Sequence, residues 1–183
     1  MTREQTLQLV KEKIQSQNLI KHCLAVEAMM KAIAKHLNQD IESWSQAGLL
    51  HDIDYEETKD NPEEHSLKGA EMLKELGLTE EIVQAVKVHN EMHNLPRQSL
   101  MDKTLFAVDP LTGLITAAVL VLPSRKLADL SPESILKRFK EPRFAAGANR
   151  QAIKSIEDIN VSLEEFIKIG LTAMQNIADD LGL

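Results

Sequence analysis

An adjacent histidine and aspartate, His51-Asp52, close an apolar run that begins at Gly48-Leu49-Leu50. Side by side on a helix they would diverge by about 100°. Both reach one point only where the helix ends and an ion sits over its last turn. Four more residues suited to hard or borderline metals lie along the chain: His22, His65, His89 and Asp109. Imidazoles take borderline transition metals, while carboxylates favour harder ions and can bridge two of them. We read these four imidazoles and two carboxylates as a centre for two divalent ions. Fe and Mn come first, with Zn, Co, Ni or Mg also compatible.

Residue type alone leaves each position open. His22 could be a polar residue bonded along its own helix. His65, near Lys68 and Glu71, could face solvent. His89, between apolar neighbours Val86 and Val88, could be a buried histidine bonded to a carbonyl. Asp109 before Pro110 could be a turn former.

The elements that must position these groups read as helices almost throughout. Thr2 with Gln5 is a capping box opening a helix to about Ser16. Asn18 can cap a second helix to about Leu37, and Asp40 a third that carries Trp44, Ala47 and Leu50 inward. Asp54–Asn61 is polar and loop-like. Asn61-Pro62 then predicts a helix carrying His65, Gly69 and Leu73 until Gly77 stops it. Thr79 is expected to cap the next helix, which carries a stripe of Ile82, Val83, Val86 and His89. After a loop around Pro96, Ser99 starts a helix that Asp109-Pro110 should break or kink. Further helix starts are expected at Ser131-Pro132, Pro142 and Ser162. No strand alternation, repeat or low-complexity tract is present. The expectation is an all-α bundle of about eight to ten helices, one domain over residues 1–183.

Bulk properties narrow the class. A net charge of −7 argues against a nucleic-acid polymer as partner. A small phosphorylated substrate stays compatible, because bound cations reverse the local field. The single cysteine, Cys23, excludes an intramolecular disulfide and fits a reducing compartment. No signal peptide opens the chain, and Leu114–Leu122 is too short to span a bilayer. A cytoplasmic protein without a membrane partner is expected; the sequence sets no oligomeric state.

His22, then His51-Asp52, then Asp109, with helical signals between, resembles the HD-domain superfamily of metal-dependent phosphohydrolases. The additional His65 and His89 resemble its two-metal subset, and His65-Ser66-Leu67-Lys68-Gly69 resembles its histidine-to-glycine segment. The likeness covers residues 18–122, leaving 123–183 as accessory helices. It implies that His22, His51, Asp52 and Asp109 hold one ion. His65 and His89 would complete the second, with Asp52 as the bridge. The cyclic-dinucleotide phosphodiesterase branch carries His-Asp-Ile-Gly-Lys and a Gly-Tyr-Pro element. Here Asp54 and Tyr55 replace the last two residues and Gly-Tyr-Pro is missing, which argues against cyclic-dinucleotide hydrolysis and a third metal.

Such a site suits hydrolysis of phosphomonoesters or phosphodiesters by direct water attack. No Gly-x-Ser-x-Gly elbow or phosphate loop supplies a rival nucleophile. Lys68, three residues after His65, is expected to project to the same side and to hold a phosphate or aid the leaving group; Asp52 and Lys68 are the catalytic candidates. Asp54 can orient a ligating histidine. The leading expectation is a phosphohydrolase acting on a nucleotide, dinucleotide or related small ester. Its rivals are a di-iron oxygenase of the same superfamily and a metal-binding sensory module without turnover.

Overall fold

Side-chain caps decide where most helices begin. The computed structural model describes residues 1–183, and every regular element in it is helical. Thr2 and Gln5 form the reciprocal capping box ahead of α1 (Arg3–Lys13). Ser16, rather than Asn18, accepts the amide of Leu19 and caps α2 (Gln17–His36). Asp40 caps α3 (Ile41–Leu50), which ends against His51. A single turn, α4 (Tyr55–Thr58), precedes α5 (Leu67–Glu75), α6 (Glu80–Val88) and α7 (Leu100–Leu120). Ser99 and Asp102 make a second capping box at the start of α7. The remainder is α8 (Pro132–Phe139), α9 (Arg150–Lys154), α10 (Leu163–Gln175) and the single turn α11 (Ala178–Leu181), joined in places by 3-10 turns.

Three proline signals resolve differently from expectation. Asn61-Pro62 starts only a series of turns, and α5 begins five residues later, after Ser66 at φ 71°. Pro142 likewise lies among turns, because the next helix waits for Asn149, whose side chain accepts the amides of Gln151 and Ala152. Pro110 neither breaks nor ends α7. An interior proline costs about 3 kcal/mol. Leu111, Leu114 and Ile115, all fully buried on the same helix, each return about 1.5–3 kcal/mol, so burial outweighs the lost bond.

α7 has the length and composition of a bilayer span, beyond what the Leu114–Leu122 stretch suggested, yet 56% of its most apolar window is buried inside the fold. It packs against α2, α6, α8, α9 and α10. One cluster of 44 buried hydrophobic residues extends from Val10 to Leu181, so residues 123–183 share their core with the rest of the chain. The pairing that matters for the site is α2 on α3. A Cβ on Gly48 would lie 3.0 Å from Glu27 Cα and 3.0 Å from the Val26 carbonyl oxygen. Only glycine permits that approach, and it brings His51 at the end of α3 against His22 on α2.

Candidate metal centre

Each of the six side chains arrives from a different place. His22 lies within α2 and Asp109 within α7; His51 and His89 are the residues that close α3 and α6. Asp52 follows in the turn after α3, and His65 sits in the turns before α5. They nevertheless converge. His22 Nε2 and His51 Nε2 are 3.1 Å apart, and His22 Nε2 is 3.1 Å from Asp109 Oδ1. Asp52 stands between two groups. Its Oδ2 lies 3.4 Å from His51 Nε2 and 3.7 Å from His22 Nε2. Its Oδ1 lies 3.4 Å from His65 Nε2 and 3.6 Å from His89 Nε2. One carboxylate thus faces two histidine pairs with separate oxygens, the disposition a bridging ligand needs.

The outer nitrogens of the same rings fix their tautomers. His51 Nδ1 is 2.9 Å from the Gly48 carbonyl and His89 Nδ1 is 2.6 Å from the Val86 carbonyl. A carbonyl only accepts, so in each ring Nδ1 carries a proton and Nε2 is the nitrogen turned inward, free to ligate once it gives up any proton of its own. His65 Nδ1 donates to Asp54 Oδ1 at 3.0 Å. Thr112 Oγ1 spends its own proton on the Asp109 carbonyl at 2.8 Å, leaving a lone pair for His22 Nδ1–H at 3.0 Å. All four imidazoles are therefore oriented as ligating histidines are, with an acceptor behind each.

Charge at the centre calls for cations. Burial favours the neutral forms of both Asp52 and Asp109, but facing imidazoles hold Asp52 well below the usual carboxylate range and Asp109 below it as well. Burial would likewise discharge His51 and His65. Asp52 and Asp109 instead raise His51 to about 9, and Asp52 with Asp54 raise His65 to about 10. Protons on the rings supply the countercharge that two buried carboxylates demand, and divalent cations satisfy the same demand without the protons. No metal is part of this structure. Two triads, His22-His51-Asp109 and His51-Asp52-His89, each bring their ligand atoms within 4.8 Å of one another. The donor set therefore fits divalent metal.

Asp54, expected as an orienting carboxylate, is fully buried. Besides His65 it accepts the backbone amides of Ser66 and Gly69, each at 2.8 Å. A Cβ on Gly69 would lie 3.1 Å from Asp54 Cγ, so this glycine admits the carboxylate rather than a neighbouring helix. Lys68 does not meet its expectation. Its ammonium is 2.9 Å from Glu57 Oε2, and it does not line the cavity over the centre. His65 precedes α5, and the positive φ of Ser66 breaks the register on which the His65–Lys68 spacing argument relied.

That cavity, of about 230 Å³, is bounded by His65, His89 and Asp109 and by residues outside the sequence candidates: Asn90, Glu91, Phe106, Gly147 and Asn149 among them. Phe106 alone was recoverable, standing one turn before Asp109 on α7. The wall around Gly147 is held by Arg150. Its Nη1 donates to the carbonyls of Ala145 and Ala148 at 2.6 and 2.7 Å, and its Nη2 to that of Phe144. Asn149 Nδ2 donates across the mouth to Glu91.

Comparison with known proteins bears on the family rather than on the geometry. The HD domain family matches residues 19–116. Ribonuclease Y of Lawsonia intracellularis is 35% identical over 85 residues, 46% of this chain and 16% of that protein. Ribonuclease Y of Desulfotalea psychrophila is 29% identical over 151 residues, 79% of this chain and 28% of that protein. An uncharacterised protein of Methanocaldococcus jannaschii is 27% identical over 175 residues, covering 90% of this chain and 98% of its own length. This chain thus spans under a third of the ribonuclease relatives described here. No solved structure matches. The ribonuclease relatives overturn the exclusion of a nucleic-acid polymer that net charge had suggested. A charge of −7 is a sum over the whole chain, whereas an anionic substrate responds to the local field at a cation site.

Proposed function

The chain belongs to the HD-domain family of metal-dependent phosphohydrolases, and from that premise we propose that it hydrolyses phosphodiester bonds of RNA at a two-cation centre. His22, His51, Asp52 and Asp109 would hold one cation; His65 and His89, with Asp52, would hold the second. Fe or Mn would suit this set of imidazoles and carboxylates. The observation that carries this reading is the split of the two Asp52 oxygens between two histidine pairs at 3.4–3.7 Å. The choice of RNA is supported by ribonuclease relatives at up to 35% identity over the matched segment.

Divalent cations held there would supply a water of lowered pKa and polarisation of a phosphoryl oxygen, the chemistry of direct attack without a covalent enzyme intermediate. The chain's own contribution is positional. The Gly48 and Val86 carbonyls, Thr112 and Asp54 keep each ring aimed inward. Asp52 and Asp109 supply the negative charge that draws divalent metal into a buried place. No lysine or arginine lines the cavity, so an anionic substrate is attracted by the bound cations rather than by side chains.

Residues 1–183 act as one domain in this reading, with 123–183 supplying a wall of the cavity through Gly147 and Asn149. A reducing, cytoplasmic setting accords with a lone buried Cys23 whose thiol burial pushes well above its usual range. The test is metal analysis of protein purified without added metal, then assay in Mn²⁺ against RNA oligonucleotides and a panel of small phosphate esters, with and without O₂. Cleavage of RNA that is independent of O₂ and abolished by chelation is expected. Absence of RNA cleavage would overturn the reading, whether or not a small ester is turned over.

A further inference from the structure

Phe106 stands on the same face of α7 as Asp109, one turn earlier, and both bound the cavity over the centre. The Arg97 guanidinium, from the loop around Pro96, lies over the Phe106 ring with its carbon 3.4 Å from the ring centroid. Arg97 Nε and Nη2 are buried and have no hydrogen-bond partner. Burying two guanidinium nitrogens without an acceptor is costly, and the electron-rich face of the ring offsets it. Arg97 covers one face of the ring and does not itself bound the cavity. The ring is thus held from one side, and Phe106 shares the lining of the cavity with His65, His89 and Asp109.

A rigid aromatic surface next to a phosphate-binding centre is the arrangement that recognises a nucleobase, because every base has a face that stacks. We propose that Phe106, braced by Arg97, is the stacking wall of a nucleobase subsite adjoining the metal centre. The inference rests on the ribonuclease reading for its substrate class, and it extends that reading to a residue outside the ligand set. Phe106 contacts the base; Arg97 is a positioning residue that acts through it.

Binding separates this inference from the activity. Calorimetry of the full chain in Mn²⁺ compares AMP with ribose 5-phosphate, which carries the phosphate and sugar without a base. Wild-type protein should prefer AMP by about tenfold. Phe106→Leu should erase the preference by weakening AMP alone, and Phe106→Trp should keep it. Equal affinity of wild-type protein for the two ligands would overturn the subsite. So would a Phe106→Leu variant that retains the preference, or one that weakens both ligands alike as a packing defect would. Failure to cleave RNA sinks the ribonuclease reading but leaves these affinities to decide the subsite.

Discussion

Glu27 and Asp52 are both buried carboxylates, 2% and 7% exposed, yet their surroundings are opposite. Glu27, on α2, takes Arg3 Nε and Nη2 at 2.6 and 2.8 Å, Lys31 Nζ at 2.6 Å and Ser45 Oγ at 3.0 Å. Its countercharge is permanent and comes from the chain. Asp52 meets no lysine or arginine. Its neighbours are imidazoles, whose charge depends on pH and whose lone pairs bind metal. A carboxylate with built-in cations fastens α1 to the α2–α3 pair; one that lacks them is a place where something must arrive.

The largest effect should follow from removing the bridge. Asp52→Ala is expected to abolish metal-dependent hydrolysis while the helical circular dichroism stays near normal; turnover at the wild-type level would contradict the bridging role. Next comes the carboxylate behind His65. Asp54→Asn should lower metal affinity by about 10- to 100-fold, read by equilibrium dialysis, because Asp54 holds both the ring and the entrance to α5.

Glu27→Gln should spare metal content and lower stability instead. Breaking a buried ion pair costs about 3–5 kcal/mol. Arg3 and Lys31 keep 44% and 35% of their side chains exposed and can return to water, so about 2 kcal/mol in urea denaturation is the expectation. A loss of bound metal in this variant would erase the distinction between the two regions.

The two regions should also part company with pH in metal-free protein. Burial would raise the Glu27 pKa, but Arg3 and Lys31 hold it below the ordinary 4.5. Its stabilisation is complete above that value and is lost as pH falls through the folded one. His51 and His65 are raised from 6.5 to about 9 and 10. Their contribution is complete below 6.5 and is lost as pH rises through 9–10. Denaturation curves across pH in chelator should therefore weaken on the alkaline side, and saturating Mn²⁺ should remove that arm, since ligating rings carry no proton at Nε2. An alkaline arm unchanged by metal would mean that these rings do not ligate. The smallest effect is Gly69→Ala. The added methyl crowds Asp54 at 3.1 Å, and metal affinity should fall only a few-fold, since a slight shift of one carboxylate relieves it.

Much of this molecule is written locally. Caps at Thr2, Asp40, Ser99, Ser131 and Ser162 form as their spacing predicts, since a cap involves only residues three apart, although the expected box of Ser162 with Glu165 closes in one direction only and Thr79 makes no side-chain cap bond. The ordered set His22, His51-Asp52, His65, His89 and Asp109 was likewise legible, because each needs only the right residue type near a helix or its end. Tertiary packing decided the rest. Pro110 stays inside α7 because burial along that helix exceeds the proline penalty. Lys68 turns to Glu57 because one left-handed residue, Ser66, rotates α5 away from the expected register. Arg150 is consumed by the carbonyls of its own loop, and Phe106 acquires a wall built from Gly147 and Asn149, some forty residues onward. Local signals act over a turn or two of chain; a cavity's walls are chosen by which distant surfaces bury each other, and no spacing along the sequence carries that information.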